Sequence, residues 1–146
     1  MTRLQEELKQ LRESVSDMAT LVKNQLKKSV CSLLDEDEDM ANEVIANEKR
    51  VNALELKIDR DCEYIFTLLN PVAHDMRFVF SNLKINSDME RIGDYAEGIA
   101  KLVLLGKKTF DKSLIEKIKL KEMSDTSLLM MGDVTKAYCE DNTKIA

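Results

Sequence analysis

Asn70 to Ala100, NPVAHDMRFVFSNLKINSDMERIGDYAEGIA, holds the chain's only proline, its only histidine and two of its four glycines. It reads as one long helix. Asn70 is a good N-cap acceptor, Pro71 suits a first helical position where no amide hydrogen is needed, and Asp75 places negative charge near the positive end of the dipole. At about 100° per residue, Phe78, Ile85, Met89, Ile92, Ala96, Ile99 and Val103 form one apolar stripe, and Val72, Met76, Val79 and Leu83 open a second. Toward the C-terminus the second stripe turns polar and continues as Asn86, Glu90, Asp94 and Glu97. Carboxylates stand where more core residues are expected.

The preceding helix carries Val44, Val51, Leu54, Ile58, Ile65 and Leu69 on its buried stripe and reaches Asn70 unbroken. It spans roughly thirty residues, or about 45 Å. Beside that stripe, within an arc of about 60°, lie Glu48, Asn52, Glu55 and Asp59. Two long helices with almost no connection must fold back as an antiparallel hairpin. Residues equally far from the turn then lie level, so Glu48 faces Asp94 and Asn52 faces Glu90. Three carboxylates at one level repel unless protonated, salt-bridged or bridged by a cation. The candidate ligand set is therefore Glu48, Asn52, Glu90 and Asp94, and its all-oxygen character favours hard or borderline cations. A solvated acidic face, with each acid paired to a lysine a turn away, is the competing reading.

Upstream, Leu4, Leu8, Leu11, Val15, Met18, Val22 and Leu26 alternate spacings of four and three, the seam of a helical bundle. Asp35 to Asp39, DEDED, reads as a solvated turn that caps the next helix. Downstream, Gly106 closes the third helix, Lys107 to Lys112 is a short basic connection, and Ser113 with Glu116 offers a capping box for a fourth. That helix has a weaker stripe of Leu120, Met123, Met130, Val134 and Ala137, with Met131 and Tyr138 alongside. A shift of roughly 105 residues lays this helix on the first one, Met18 on Met123 and Leu26 on Met131. The organisation expected is a complete three-helix repeat over 1–106, then a connection and the first helix of an incomplete second repeat over 107–146.

The composition agrees with a single all-α antiparallel bundle: 146 residues, 44% hydrophobic, 5% aromatic, four glycines and one proline. A net charge of -5 argues against binding the phosphate backbone of nucleic acid. No apolar run approaches the roughly 18 residues that span a bilayer, and Met1 to Gln10 lacks a signal-peptide core, so a cytoplasmic chain is expected. Three widely spaced cysteines, Cys31, Cys62 and Cys139, read as small buried thiols. His74 lies about 24 Å along the helix axis from Glu90 and cannot join that level.

Val44-Ile45 with Glu48, Val51-Asn52, Ile58-Asp59, Pro71-Val72-Ala73 with Asp75 and Arg77, and above all Glu90-Arg91-Ile92-Gly93-Asp94 resemble the PhoU-type regulators of bacterial phosphate uptake. That resemblance is strong over Val44 to Leu105 and implies two three-helix repeats. It also implies metal binding through an acid-x-x-x-acid motif, with iron or zinc first and manganese or magnesium as alternatives. Glu90 and Asp94 match the motif fully; on the second helix Glu48 matches, whereas Asn52 stands where the second acid belongs. The partners it implies are the phosphate ABC transporter ATPase and a phosphate sensor histidine kinase, reached from the cytoplasm at the inner face of the membrane. The function expected is non-enzymatic repression of phosphate-starvation signalling by contact. Two alternatives stand beside it, a carboxylate-bridged metalloprotein and a helical oligomerisation module. The apolar stripe of the fourth helix points to a homo-oligomer, most simply a homodimer.

Overall fold

The computed structural model describes residues 1–106, 111–141, 144 and 145. Its helices are α1 (Arg3–Asp35), α2 (Glu38–Leu68), α3 (Ala73–Leu105), α4 (Lys112–Lys117) and α5 (Leu120–Glu140). No strand occurs among the described residues. The three long helices pack against one another, and α5 lies along α1. The all-α bundle expected from composition and periodicity is the fold observed.

The α1–α2 turn forms as its acidic run implies. Helix α1 stops at Asp35, Glu36 takes the left-handed conformation (φ 53°), and the Asp37 side chain accepts the Met40 amide at 3.0 Å. At the α2–α3 turn the structure corrects the sequence reading. Asn70 does not cap α3; it sits in the left-handed region (φ 47°) just beyond the α2 C-cap Leu69, and Val72 precedes the first helical residue. A right-handed helical conformation is disfavoured immediately before proline, and asparagine tolerates the left-handed one that ends a helix. Asn70 therefore terminates α2 instead of starting α3.

The expected fourth helix is broken in two. Asp111, not Ser113, caps α4 by accepting the Ser113 amide at 3.0 Å, and Lys119 in the left-handed conformation (φ 53°) separates α4 from α5. No glycine, proline or asparagine marks that break. Residues 107–110 of the basic connection lie outside the described residues. On α5, Met131 and Ala137 are buried, while Met123, Met130 and Val134 of the expected stripe are exposed. The cysteine expectation holds for Cys62 alone, since Cys31 is half-buried and Cys139 exposed. His74 is exposed in the first turn of α3.

Two buried clusters make the core. The larger gathers Leu11, Val15, Met18 and Val22 of α1 with Val51, Ile58, Cys62 and Ile65 of α2 and Val79 and Met89 of α3. The smaller joins Ala41 and Val44 to Ala96, Ala100 and Val103, where alanines let the helices approach closely. On α3 the buried residues recur at alternating steps of three and four from Val79 to Val103, a bundle seam. Between the two clusters that seam turns polar. Gln25 of α1 is buried there and donates to the Val44 carbonyl at 2.7 Å, Glu48 of α2 is buried, and Gly93 stands opposite on α3.

Candidate metal centre

Glu48 occupies a seam position of α2, four residues after Val44 and three before Val51, both fully buried. An alternating apolar pattern would place a hydrophobic side chain there. Its carboxylate instead meets α3, where one oxygen each of Glu48, Glu90 and Asp94 lie within 4.8 Å of one another. Glu90 is half-buried and Asp94 exposed, so the cluster runs from the core interior to the surface. The level pairing expected from the hairpin is thus realised for Glu48 and Asp94. Asn52, a turn beyond Glu48 on α2, is exposed.

The electrostatics are those of crowded acids. Burial first, then the charges of Glu97 and Asp94, push Glu48 from 4.5 up to about 7. Burial, a hydrogen bond with Asp94 and the Asp94 charge raise Glu90 to about 7, with Arg91 opposing. Both carboxylate oxygens of Glu48 are sealed from solvent and receive no hydrogen bond from any nitrogen or hydroxyl donor. A bond between Glu48 and Asp94 can then exist only through a proton shared by the two acids. Buried acceptors without donors are costly, and a cation or a proton is what relieves them. The donor set, three carboxylates with no thiolate or imidazole among them, fits a hard or borderline metal ion. Such an ion would supply positive charge and tie α2 to α3; the chain's own residues supply the ligands and the seam that holds them level.

Glu97 and Asn86 complete the surroundings. Glu97 lies one turn beyond Asp94, bears on Glu48 more strongly than any other charge, and is itself paired with Lys101 at 2.5 Å. Asn86, buried one turn before Glu90, donates to the Glu55 carbonyl at 3.0 Å and to Asp59 Oδ1 at 2.9 Å, fastening α3 to α2. Both belong to the polar lines visible in the sequence. Their roles as neighbour and fastener are not visible there, because a helical wheel does not rank residues by depth.

A helical bundle whose seam is interrupted by a buried Glu48 facing one acid-x-x-x-acid pair, Glu90 and Asp94, is the class that fold and site define. The chain belongs to the PhoU domain family, whose pattern matches residues 15–103. The phosphate-specific transport system accessory protein PhoU of Edwardsiella tarda is 31% identical over 132 residues, 90% of this chain and 54% of that protein. The crystal structure of the phosphate transport system regulatory protein PhoU from Streptococcus pneumoniae superposes with a TM-score of 0.82 at 31% identity, covering 92% of this chain and 62% of that one. PhoU from Pseudomonas aeruginosa gives a TM-score of 0.86 at 25% identity, over 98% and 68%. The chain thus spans between 54% and 68% of the length of these relatives. Their names are those of accessory and regulatory proteins, not of enzymes, in accord with the non-enzymatic expectation. No helix among the described residues is long and apolar enough to cross a membrane.

Proposed function

We propose that the chain is a non-enzymatic regulator of phosphate uptake and phosphate-starvation signalling that works by contact with the phosphate transporter ATPase and a sensor histidine kinase. The PhoU domain match over residues 15–103 carries this reading. In it, residues 1–106 act as one complete three-helix unit, and 107–146 as a connection and the first helix of another. The site of action is the cytoplasm, at the inner face of the membrane where those partners sit. Immobilised chain should retain both the ATPase and the cytoplasmic part of the kinase. Retention of neither by folded protein would sink the proposal.

The carboxylate centre serves in this reading as structural or regulatory support, with iron or zinc as the first metals to test and manganese or magnesium next. The unpartnered oxygens of Glu48 support it. A ligand that binds only the folded chain raises its melting temperature as concentration passes the dissociation constant. Glu90→Gln combined with Asp94→Asn should abolish that rise and leave the metal-free chain as stable or more so, because the repulsion goes with the charges. Asn52→Asp, restoring the second acid of the family motif, should tighten binding. If the double variant keeps the parent's metal response, these residues form only a solvated acidic cluster.

A further inference from the structure

We propose that the groove at the hairpin end of α2 and α3 is a docking surface for a basic amphipathic segment of a partner protein. Asp59, Glu63 and Phe66 of α2 face Val79, Phe80 and Leu83 of α3 across an opening of about 400 Å³. The Phe66 and Phe80 rings meet edge to face at 5.4 Å, yet they remain 44% and 46% exposed. Neighbouring Leu68 and Val72 at the turn are more exposed still, at 66% and 67%. Large apolar side chains gathered at one end of a bundle that has a well-filled core elsewhere are a hallmark of an interaction surface.

Charge selects the occupant. The two charged residues of the lining are both acidic and neither takes part in an ion pair among the described residues; Asp59 accepts a hydrogen bond from Asn86, which leaves Glu63 as the carboxylate that meets a cation. An exposed aromatic face beside an unpaired carboxylate is a seat for lysine or arginine, through cation–π attraction and a charge-assisted hydrogen bond. Val79 and Leu83 offer apolar floor for the anchors of the same segment, the pattern of a helix laid in a groove. Anionic lipid headgroups would be repelled by Asp59 and Glu63, so a protein partner is favoured over a membrane. Phe80 lies ten residues before Glu90, about 15 Å along the helix axis, so docking here leaves the carboxylate centre free. The inference rests on the contact-regulator reading only for the partner's identity; the groove itself is tested with synthetic probes.

The full chain, labelled for amide NMR, is titrated with an amphipathic Leu/Lys helix of about fifteen residues, with its Leu/Glu counterpart and with a Ser/Lys peptide of equal charge. The Leu/Lys peptide should saturate and shift the amides of Glu63, Phe66, Phe80 and Leu83. Phe80→Ser and Glu63→Lys should each weaken it about tenfold or more; Glu63 is a surface residue, so its variant keeps the test open if Phe80→Ser fails to fold. Equal binding of the Ser/Lys or Leu/Glu peptide, shifts confined to α5, or no saturable binding would overturn the proposal. Tighter association with phosphatidylglycerol vesicles than with the peptide would overturn it as well.

Discussion

A Cβ placed on Gly93 would lie 3.1 Å from Cγ1 of Val51 and 3.8 Å from Oε2 of Glu48. The missing side chain is what lets α3 approach α2 closely enough for Asp94 to meet Glu48. Val51 is fully buried and, being β-branched, cannot swing aside freely. Gly93→Ala gains about 1 kcal/mol of helix propensity but loses about 1–3 kcal/mol to overpacking. A net loss is expected in chemical denaturation, together with a weaker metal-dependent rise in melting temperature. Adding Val51→Ala removes the clash and should restore the metal response, though not the lost core volume.

The raised acids give the metal-free chain an unusual pH profile. Glu48 titrates ordinarily at 4.5 and in the folded chain at about 7, as Glu90 also does. Between those values the folded chain holds protons that the unfolded chain has released. Stability contributed by these groups therefore falls as pH rises from about 4.5 to about 7, the reverse of a salt-bridged carboxylate. Melting temperatures recorded in chelator across that window should decline, and Glu48→Gln should flatten the decline. A divalent ion competes with the same protons, so its affinity should climb over this window.

Much of this bundle is legible in its amino-acid pattern. Alternating apolar steps disclose the long helices, and the short connection discloses the level at which Glu48 meets Asp94. Depth is less legible. Glu48 stands in the seven-residue gap between Val44 and Val51, so it belongs to the buried seam itself, whereas a polar type at that place suggests a line beside it. Asn52, one turn on, is rotated outward to the surface. The Asn70-Pro71 pair is open to two readings because asparagine both caps helix starts and tolerates the conformation that ends them. The break at Lys119 has no local residue signal, and the apolar stripe of α5 is one that α1 covers on only one side.

Tyr138 is the residue that fixes α5 to the bundle. Its hydroxyl donates to Asn82 Oδ1 at 2.6 Å, its ring stacks on Phe78 at 6.4 Å, and the Arg12 guanidinium lies over both rings. Arg12 also donates to the Tyr138 carbonyl at 2.7 Å and to Asp141. Asn82 is wholly buried, so Tyr138→Phe orphans its oxygen at a cost of about 1–3 kcal/mol. Hydrogen exchange should quicken along α5 and leave α2 and the centre of α3 protected. Pairing Tyr138→Phe with Asn82→Leu removes both polar partners and should recover most of the loss; failure to recover would show that the loss lies in the packing of Asn82 and its bond to the Phe78 carbonyl, not in the orphaned oxygen.

The outer face of α5 makes the last prediction. Met123, Met130 and Val134 are 60%, 62% and 46% exposed and share one side of the helix. The internal repeat expected from the sequence would lay them on Met18, Gln25 and Ser29 of α1, all three buried. Positions that α1 needs covered are thus left open on α5. A second copy of the chain can cover them by an isologous pairing of two such faces, which is the simplest symmetry available. We expect a dimer at tens of micromolar, and Met130→Glu combined with Val134→Glu should return a monomeric mass with unchanged helix content. Val134 shares a cavity with Tyr138 whereas Met130 does not line it, so hydrogen-exchange protection at the α5 anchor should persist in the single variant Met130→Glu. A parent chain that sediments as a monomer at the same concentration would show that α5 does not pair with its own kind.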